Sequence, residues 1–148
     1  MQMQQDIRIP ANKDPHERAW VALQVFGGQA LERVESELKA KGFPLLEWYD
    51  ILWALEREGP QRQRDLANHL LVARYSLSRL VDRMESEGLV ARRECPEDLR
   101  GQMVHITAVG QALRKEIWAA YSPALQAAMG KLSAEEAAQL AALLSKLA

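Results

Sequence analysis

Residues 63–107 read QRDLANHLLVARYSLSRLVDRMESEGLVARRECPEDLRGQMVHIT. Leu66, Ala67 and Leu70 recur at helical spacing, which predicts a short helix over 65–71 with those three side chains inward. After Val72 and Ala73, the spacing of Leu77, Leu80, Val81 and Met84 predicts a longer helix over 74–87, and Gly88 stops it. Residues 89–95 and 102–106 read as two antiparallel strands around the turn Pro96-Glu97-Asp98-Leu99-Arg100-Gly101. Helix, turn, helix and hairpin in that order spell a winged helix-turn-helix, in which the second helix enters a major groove and the hairpin forms the wing. The fold class expected is mostly α with a small β-hairpin wing.

The flanks are helical. Residues 1–13 are polar and irregular, with Pro10, and read as a flexible N-terminal arm. Asp14-Pro15-His16-Glu17 is a helix start, with Asp14 as cap, proline at the first helical position and Glu17 completing a capping box. Trp20, Leu23, Gly27, Ala30, Leu31, Val34 and Leu38 then share one face up to Gly42. A second helix over 45–57 carries Trp48, Ile51, Leu52 and Leu55, and Gly59-Pro60 ends it before a possible short strand at Gln61-Arg62. Thr107 is placed to cap a fifth helix with Leu113, Ile117, Tyr121 and Leu125, in which Pro123 should cause a kink or an early end. Ser133 and Glu136 form a capping box for a last helix bearing Leu140, Leu143, Leu144 and Leu147. The organisation expected is a DNA-binding region over 45–106 and a helical dimerisation region made of 14–44 and 107–148.

Bulk properties set limits. At 148 residues and 48% hydrophobic content, the chain suffices for one domain with a core. No apolar run is long enough for a transmembrane span and no signal pattern opens the chain, so the cytoplasm is expected and a membrane is not. The single cysteine allows no internal disulfide. Net charge is −1, and residues 61–105 hold eight arginines against seven acids. Nucleic-acid binding must therefore come from placing arginines on one face rather than from bulk charge. No lysine occurs from 42 to 114, and arginine is the cation whose planar fork matches a phosphate or a guanine edge.

With Leu77, Leu80, Val81 and Met84 inward, the residues left outward at the start of the second helix are Arg74, Tyr75, Ser76, Ser78 and Arg79. Arginine can fork onto guanine, serine can bond a base or a phosphate, and tyrosine can reach a phosphate or a thymine methyl. Arg100 near the wing tip suits a narrow minor groove. Arg62 and Arg64 lie just before the first helix of the pair and complete the set expected to contact DNA, together with Asp98.

The segments Leu66-Ala67, Ser78-Arg79-Leu80-Val81-Asp82-Arg83-Met84-Glu85, Gly88-Leu89-Val90-Ala91-Arg92, Asp98-Leu99-Arg100 and Ile106-Thr107-x-x-Gly110 resemble the multiple-antibiotic-resistance regulator (MarR) family. The central motif carries the match, and the helix layout extends it to nearly the whole chain. The resemblance implies a homodimer whose N- and C-terminal helices interlock, and a transcriptional regulator that binds a pseudo-palindromic operator in double-stranded DNA. It implies a repressor released when a small, often aromatic, effector binds between the DNA-binding and dimer regions. It places Arg74 to Arg79 on the recognition helix, Arg100 at the wing arginine and Asp98 at the acid that orients a nearby arginine. Two positions depart from the family pattern. Ala73 and Arg64 stand where small capping residues are common, which leaves helix N–H groups for a DNA phosphate.

Trp20, Trp48, Trp53 and Trp118 could wall an effector site, with His16 or Arg18 meeting a carboxylate. Ordinary core and dimer packing accounts for each tryptophan as well. Cys95 is the one candidate for redox control, but Glu94 and Glu97 disfavour its thiolate and it has no partner cysteine. His16, His69 and His105 show no ligand spacing, and no phosphate loop or catalytic grouping is present, so neither a metal, a cofactor nor an enzymatic activity is expected. The alternatives are a winged-helix module that binds only protein, which would not need outward arginines, and a redox-responsive regulator acting through Cys95.

Overall fold

The computed structural model describes residues 9, 14–71, 75–95 and 98–148, the backbone alone at 98–100. The N-terminal arm expected over 1–13 thus lies almost wholly outside the described residues. So do Val72, Ala73 and Arg74 before the recognition helix, and Pro96 and Glu97 in the wing turn.

In chain order the elements are α1 (Pro15–Ala40), α2 (Leu46–Glu58), β1 (Gln61–Arg62), α3 (Gln63–Leu66), a 3₁₀ turn (Ala67–His69), α4 (Leu77–Ser86), β2 (Val90–Cys95), β3 (Asp98–Ile106), α5 (Ala108–Met129) and α6 (Ala134–Ser145). The chain divides into two compact units, one of Leu38–Ser122 and one of the two terminal segments.

Within Leu38–Ser122 the core gathers Trp48, Ile51, Leu52 and Leu55 of α2, Leu66 of α3, Leu80, Val81 and Met84 of α4, Leu89 and Val90 of β2, and Val104 of β3. Each helix contributes one face, as its periodicity requires. The strands form an antiparallel sheet in the order β1-β3-β2. Gln61 pairs with Val104 and Arg62 with Met103, so the two-residue strand before α3 becomes the third member of the wing. On the other side Val90 pairs with Ile106 and Arg92 with Val104, with a register shift between Glu94 and Cys95.

Punctuation by glycine and hydroxyl residues fixes the joints. Gly88 follows α4 with φ of 75°, a value that a side chain with a Cβ resists. Thr107 does more than cap α5. Its hydroxyl accepts from the Gly110 N–H at 3.0 Å and points its one proton between the Gly88 carbonyl at 2.6 Å and the Leu89 carbonyl at 3.0 Å. The end of the wing, the end of α4 and the start of α5 are thereby one knot.

Three local expectations change. The helix expected over 65–71 starts at Gln63, ends at Leu66 and continues only as a 3₁₀ turn; Leu66 is buried but Ala67 is exposed. α4, the helix expected over 74–87, begins at Leu77, so Ser76 and not Ala73 holds its cap position, although no side-chain cap bond forms. Of the kink or early end expected at Pro123, the early end does not occur, since α5 runs on to Met129.

In the terminal unit α6 opens on the expected capping box: the Glu136 N–H donates to Ser133 Oγ at 3.1 Å and the Ser133 N–H to Glu136 Oε1 at 2.9 Å. This lowers the pKa of Glu136. Trp20, Leu23 and Phe26 of α1 and Leu140, Leu143 and Leu144 of α6, with Leu147 beyond it, are exposed.

Candidate nucleic-acid interface

Helix α4 is sharply two-sided. Leu80, Val81 and Met84 are buried, while Tyr75, Ser76, Ser78, Arg79, Asp82 and Arg83 are exposed. The outward N-terminal set expected from the sequence is therefore present from Tyr75 onward. Arg74 falls outside the described residues, and so do the side chains of Asp98 and Arg100, whose backbone lies at the start of β3.

The eight arginines of this region sort into different roles. Arg92, on β2 and only 17% exposed, is structural. Its guanidinium meets Asp82 at 2.7 Å and Glu85 at 3.1 Å on α4, and donates to Gln63 Oε1 of α3 at 2.9 Å. Its own N–H donates to Glu85 Oε2 at 2.7 Å. One residue thus binds both helices of the pair to the wing. It also neutralises two of the acids that made the region look balanced, so the exposed face of α4 is more positive than its composition. Sequence reading missed this role, because Gln63, Asp82 and Glu85 converge on Arg92 only in the fold. Arg83 sits over the Trp48 ring at 5.7 Å, a cation–π contact across α4 and α2.

Arg62 reaches the wing. Its guanidinium carbon would lie 3.7 Å from a Cβ placed on Gly101. The β1–β3 pairing puts it there. Arg64 is largely exposed, 3.7 Å from Asp65. Arg79 and Arg93 are exposed. Arg62, Arg64 and Arg79 are thus all borne by the helix pair and wing.

The aromatic residues divide similarly. Trp48 is 2% exposed and belongs to the core, its indole N–H without a hydrogen-bond partner among the described residues. Trp118 stacks on Tyr49 at 5.9 Å, and both meet the edge of Tyr121 at 5.6 and 5.2 Å. Burial raises the pKa of both tyrosines. Trp53 lies between Arg57, at 5.7 Å, and Arg114, at 5.3 Å, and Arg114 is also paired with Glu56. Trp53 and Trp118 keep part of their surface exposed. In the other unit, His16 contacts the Asp14 carboxylate at 3.2 Å, and His16, Arg18 and Trp20 are all exposed, Trp20 by 64%. Cys95 is a free thiol of intermediate exposure at the bulge. Among the described residues no group of three His, Cys, Asp or Glu side chains could hold a metal, and no helix is long and apolar enough to cross a membrane.

A buried carboxylate that the sequence did not announce ties α2 to the backbone at Leu71. Asp50 is 7% exposed, and its Oδ2 accepts from the Leu71 N–H at 3.1 Å. Burial, which outweighs that bond, raises its pKa to about 6, with the neighbouring Glu47 adding to the rise.

Known proteins share this layout. Residues 41–101 match the model of the MarR family. The HTH-type transcriptional regulator YkoM of Bacillus subtilis, itself uncharacterized, is 28% identical over 144 residues, covering 95% of this chain and 92% of its own. The structure of Sco3205, a MarR family transcriptional regulator from Streptomyces coelicolor solved in complex with DNA, superposes with a TM-score of 0.80 at 21% identity over 95% of this chain and 91% of that one. BpsR of Bordetella bronchiseptica, whose DNA binding is regulated by 6-hydroxynicotinic acid, gives 0.79 at 19% identity over 91% of this chain and 96% of that one. In its central segment this chain matches the MarR family of transcriptional regulators, it is similar to a transcriptional regulator over nearly its whole length, and it has the winged-helix fold of the solved MarR-family structures.

Proposed function

We propose that this protein is a homodimeric repressor that binds a pseudo-palindromic operator in double-stranded DNA and is released by a small aromatic effector. The observation that carries the DNA reading is the exposed N-terminal face of α4, with Tyr75, Ser76, Ser78 and Arg79 outward over a fully packed inner face. In this reading Arg79, with Arg74, reads base edges, and Ser76, Ser78 and Tyr75 hold phosphates. Arg62 and Arg64 clamp the backbone, and Arg100, oriented by Asp98, enters the minor groove. The likeness to a DNA-bound relative supports the same reading.

Two operator half-sites then lie about one helical turn, roughly 34 Å, apart. With about four phosphates neutralised per subunit, the slope of log K against log salt should be near −7. Fluorescence anisotropy on a duplex selected by the protein from a random library measures it. A slope shallower than about −3 would place the arginines off the backbone and end this reading.

The exposed Trp20, Leu23 and Phe26 of α1 and the leucines of α6 support the homodimer, since each leucine buried against a partner gains about 1.5–3 kcal/mol. Sedimentation should show a dimer at micromolar concentration; a folded monomer there would contradict it. An effector is supported by the likeness to BpsR and by Trp53 and Trp118, which bring exposed indole surface close to Arg57 and Arg114. We keep His16, Arg18 and Trp20 as effector-contact residues, while Trp48 supports an effector only from the core. The compartment proposed is the cytoplasm.

A further inference from the structure

We propose that Arg92 is a positioning residue for base reading: its guanidinium, bonded at once to α3 and α4, sets the rotation at which α4 presents Ser78 and Arg79, so discrimination between operator and random DNA depends on the shape of that cation and not on its charge alone.

All three nitrogens of the Arg92 fork are engaged. Nη1 donates to Glu85 Oε1 at 3.1 Å, Nη2 meets Asp82 Oδ1 at 2.7 Å and Gln63 Oε1 at 2.9 Å, and Nε donates to Gln63 Oε1 at 3.3 Å. The Arg92 backbone N–H donates to Glu85 Oε2 at 2.7 Å, so one residue of β2 holds both oxygens of that carboxylate. Asp82 follows Ser78 by four residues and Arg79 by three, a spacing that makes them neighbours on the helix surface. A turn of α4 about its own axis that frees Asp82 from Arg92 therefore carries Ser78 and Arg79 through the same angle.

Leu80, Val81 and Met84 already hold α4 on the core. That attraction is non-directional, whereas base reading needs side chains placed to within about 0.5 Å. Arg92 is only 17% exposed, and a largely buried cation is a poor choice for stability alone, because a well-packed apolar side chain often serves as well or better. What the guanidinium adds is direction. Its donors form a rigid planar fork that meets three acceptor groups at fixed angles, which the single ammonium of lysine cannot do. At Asp82, positioning and simple electrostatics predict opposite results. Its side chain is 61% exposed on the helix proposed to face DNA, so removing its charge lowers repulsion with phosphates of any sequence. Removing it also takes away one carboxylate on which Arg92 sets the helix.

The inference rests on the proposed reading of DNA by α4. The test compares wild type, Asp82→Asn and Arg92→Lys, each well below its melting temperature and at matched salt. The probes are the duplex most enriched by the wild-type protein from a random-sequence library and random duplexes of the same length. Asp82→Asn should bind random DNA at least as tightly as wild type, yet bind the selected duplex about fivefold more weakly, the lower end of what one bidentate base contact is worth. Arg92→Lys keeps the charge, so its affinity for random DNA should match wild type while its affinity for the selected duplex falls about tenfold. Asp82→Asn alters an exposed side chain, so the test stands even if Arg92→Lys does not fold. Wild-type preference for the selected duplex in both variants overturns the inference and leaves the DNA reading standing. So does weakening by one common factor on selected and random DNA, which is what a loss of folded protein produces. A wild-type protein that enriches no duplex overturns the DNA reading itself and this inference with it.

Discussion

Gly110→Ala is expected to destabilise the protein by about 3 kcal/mol, the upper end of what overpacking normally costs. A Cβ at Gly110 would collide with the Leu89 carbonyl oxygen and would sit 3.0 Å from Ile106 Cγ1 and 3.1 Å from the Leu89 carbonyl carbon. Flexible side chains can move aside, but Leu89 is backbone and is already held. Its carbonyl accepts from the Thr107 N–H at 3.1 Å and lies 3.0 Å from the Thr107 hydroxyl. Relief of the clash therefore means breaking the knot that joins α4, the wing and α5. Urea denaturation at fixed protein concentration measures the effect. A loss under about 1 kcal/mol would show that α5 can slide away from Leu89 and that this joint is loose.

Asp50→Asn is expected to act in the opposite direction, raising stability at pH 7.5 by up to about 3 kcal/mol. The sign follows from the direction of the shift. Burial raises the Asp50 pKa from 3.8 to about 6 in the folded protein, so the folded state holds this proton more tightly than the unfolded chain. The corresponding stability is fully present below pH 3.8 and is lost as pH rises through 6. Asparagine does not titrate, so the advantage of the variant should be near zero at pH 4, open between pH 4 and 7, and stay constant above. Chemical denaturation at pH 4 and 7.5 gives the comparison, at one protein concentration because a dimer's stability depends on it. Equal stabilities at pH 7.5 would mean that Asp50 is well solvated or well paired and that its charge costs nothing.

Much of the fold is legible in local sequence. The capping box of Ser133 and Glu136, the Thr107 cap and the stops at Gly42, Gly59 and Gly88 are set by residues within a few positions of one another, and the structure has all of them. The inner face of α4 follows from one helical period. The outward residues from Tyr75 to Arg79 follow as its complement, so that part of the candidate interface could be read directly. The 3₁₀ turn at Ala67–His69 was not legible in local spacing, and the pairing of Gln61 with Val104, which puts a strand directly before α3, depends on residues far along the chain. Arg92 and Asp50 were hidden for the same reason. Their partners Gln63 and Leu71 lie 29 and 21 residues away, beyond the reach of any local pattern. For Trp48 the sequence left an effector wall and core packing both open, and burial places it in the core, with Arg83 over its ring.

The central claim is that the N-terminal face of α4 reads bases, and base preference measured by selection from random duplexes on wild type and Arg79→Ala at matched salt tests it most directly. Wild type should enrich an inverted repeat. Arg79→Ala should lose preference at one position in each half-site, worth about 1–3 kcal/mol of discrimination, while its affinity for random DNA stays unchanged. Equal weakening on selected and random DNA, with base preference intact, would contradict the claim and make Arg79 a phosphate clamp.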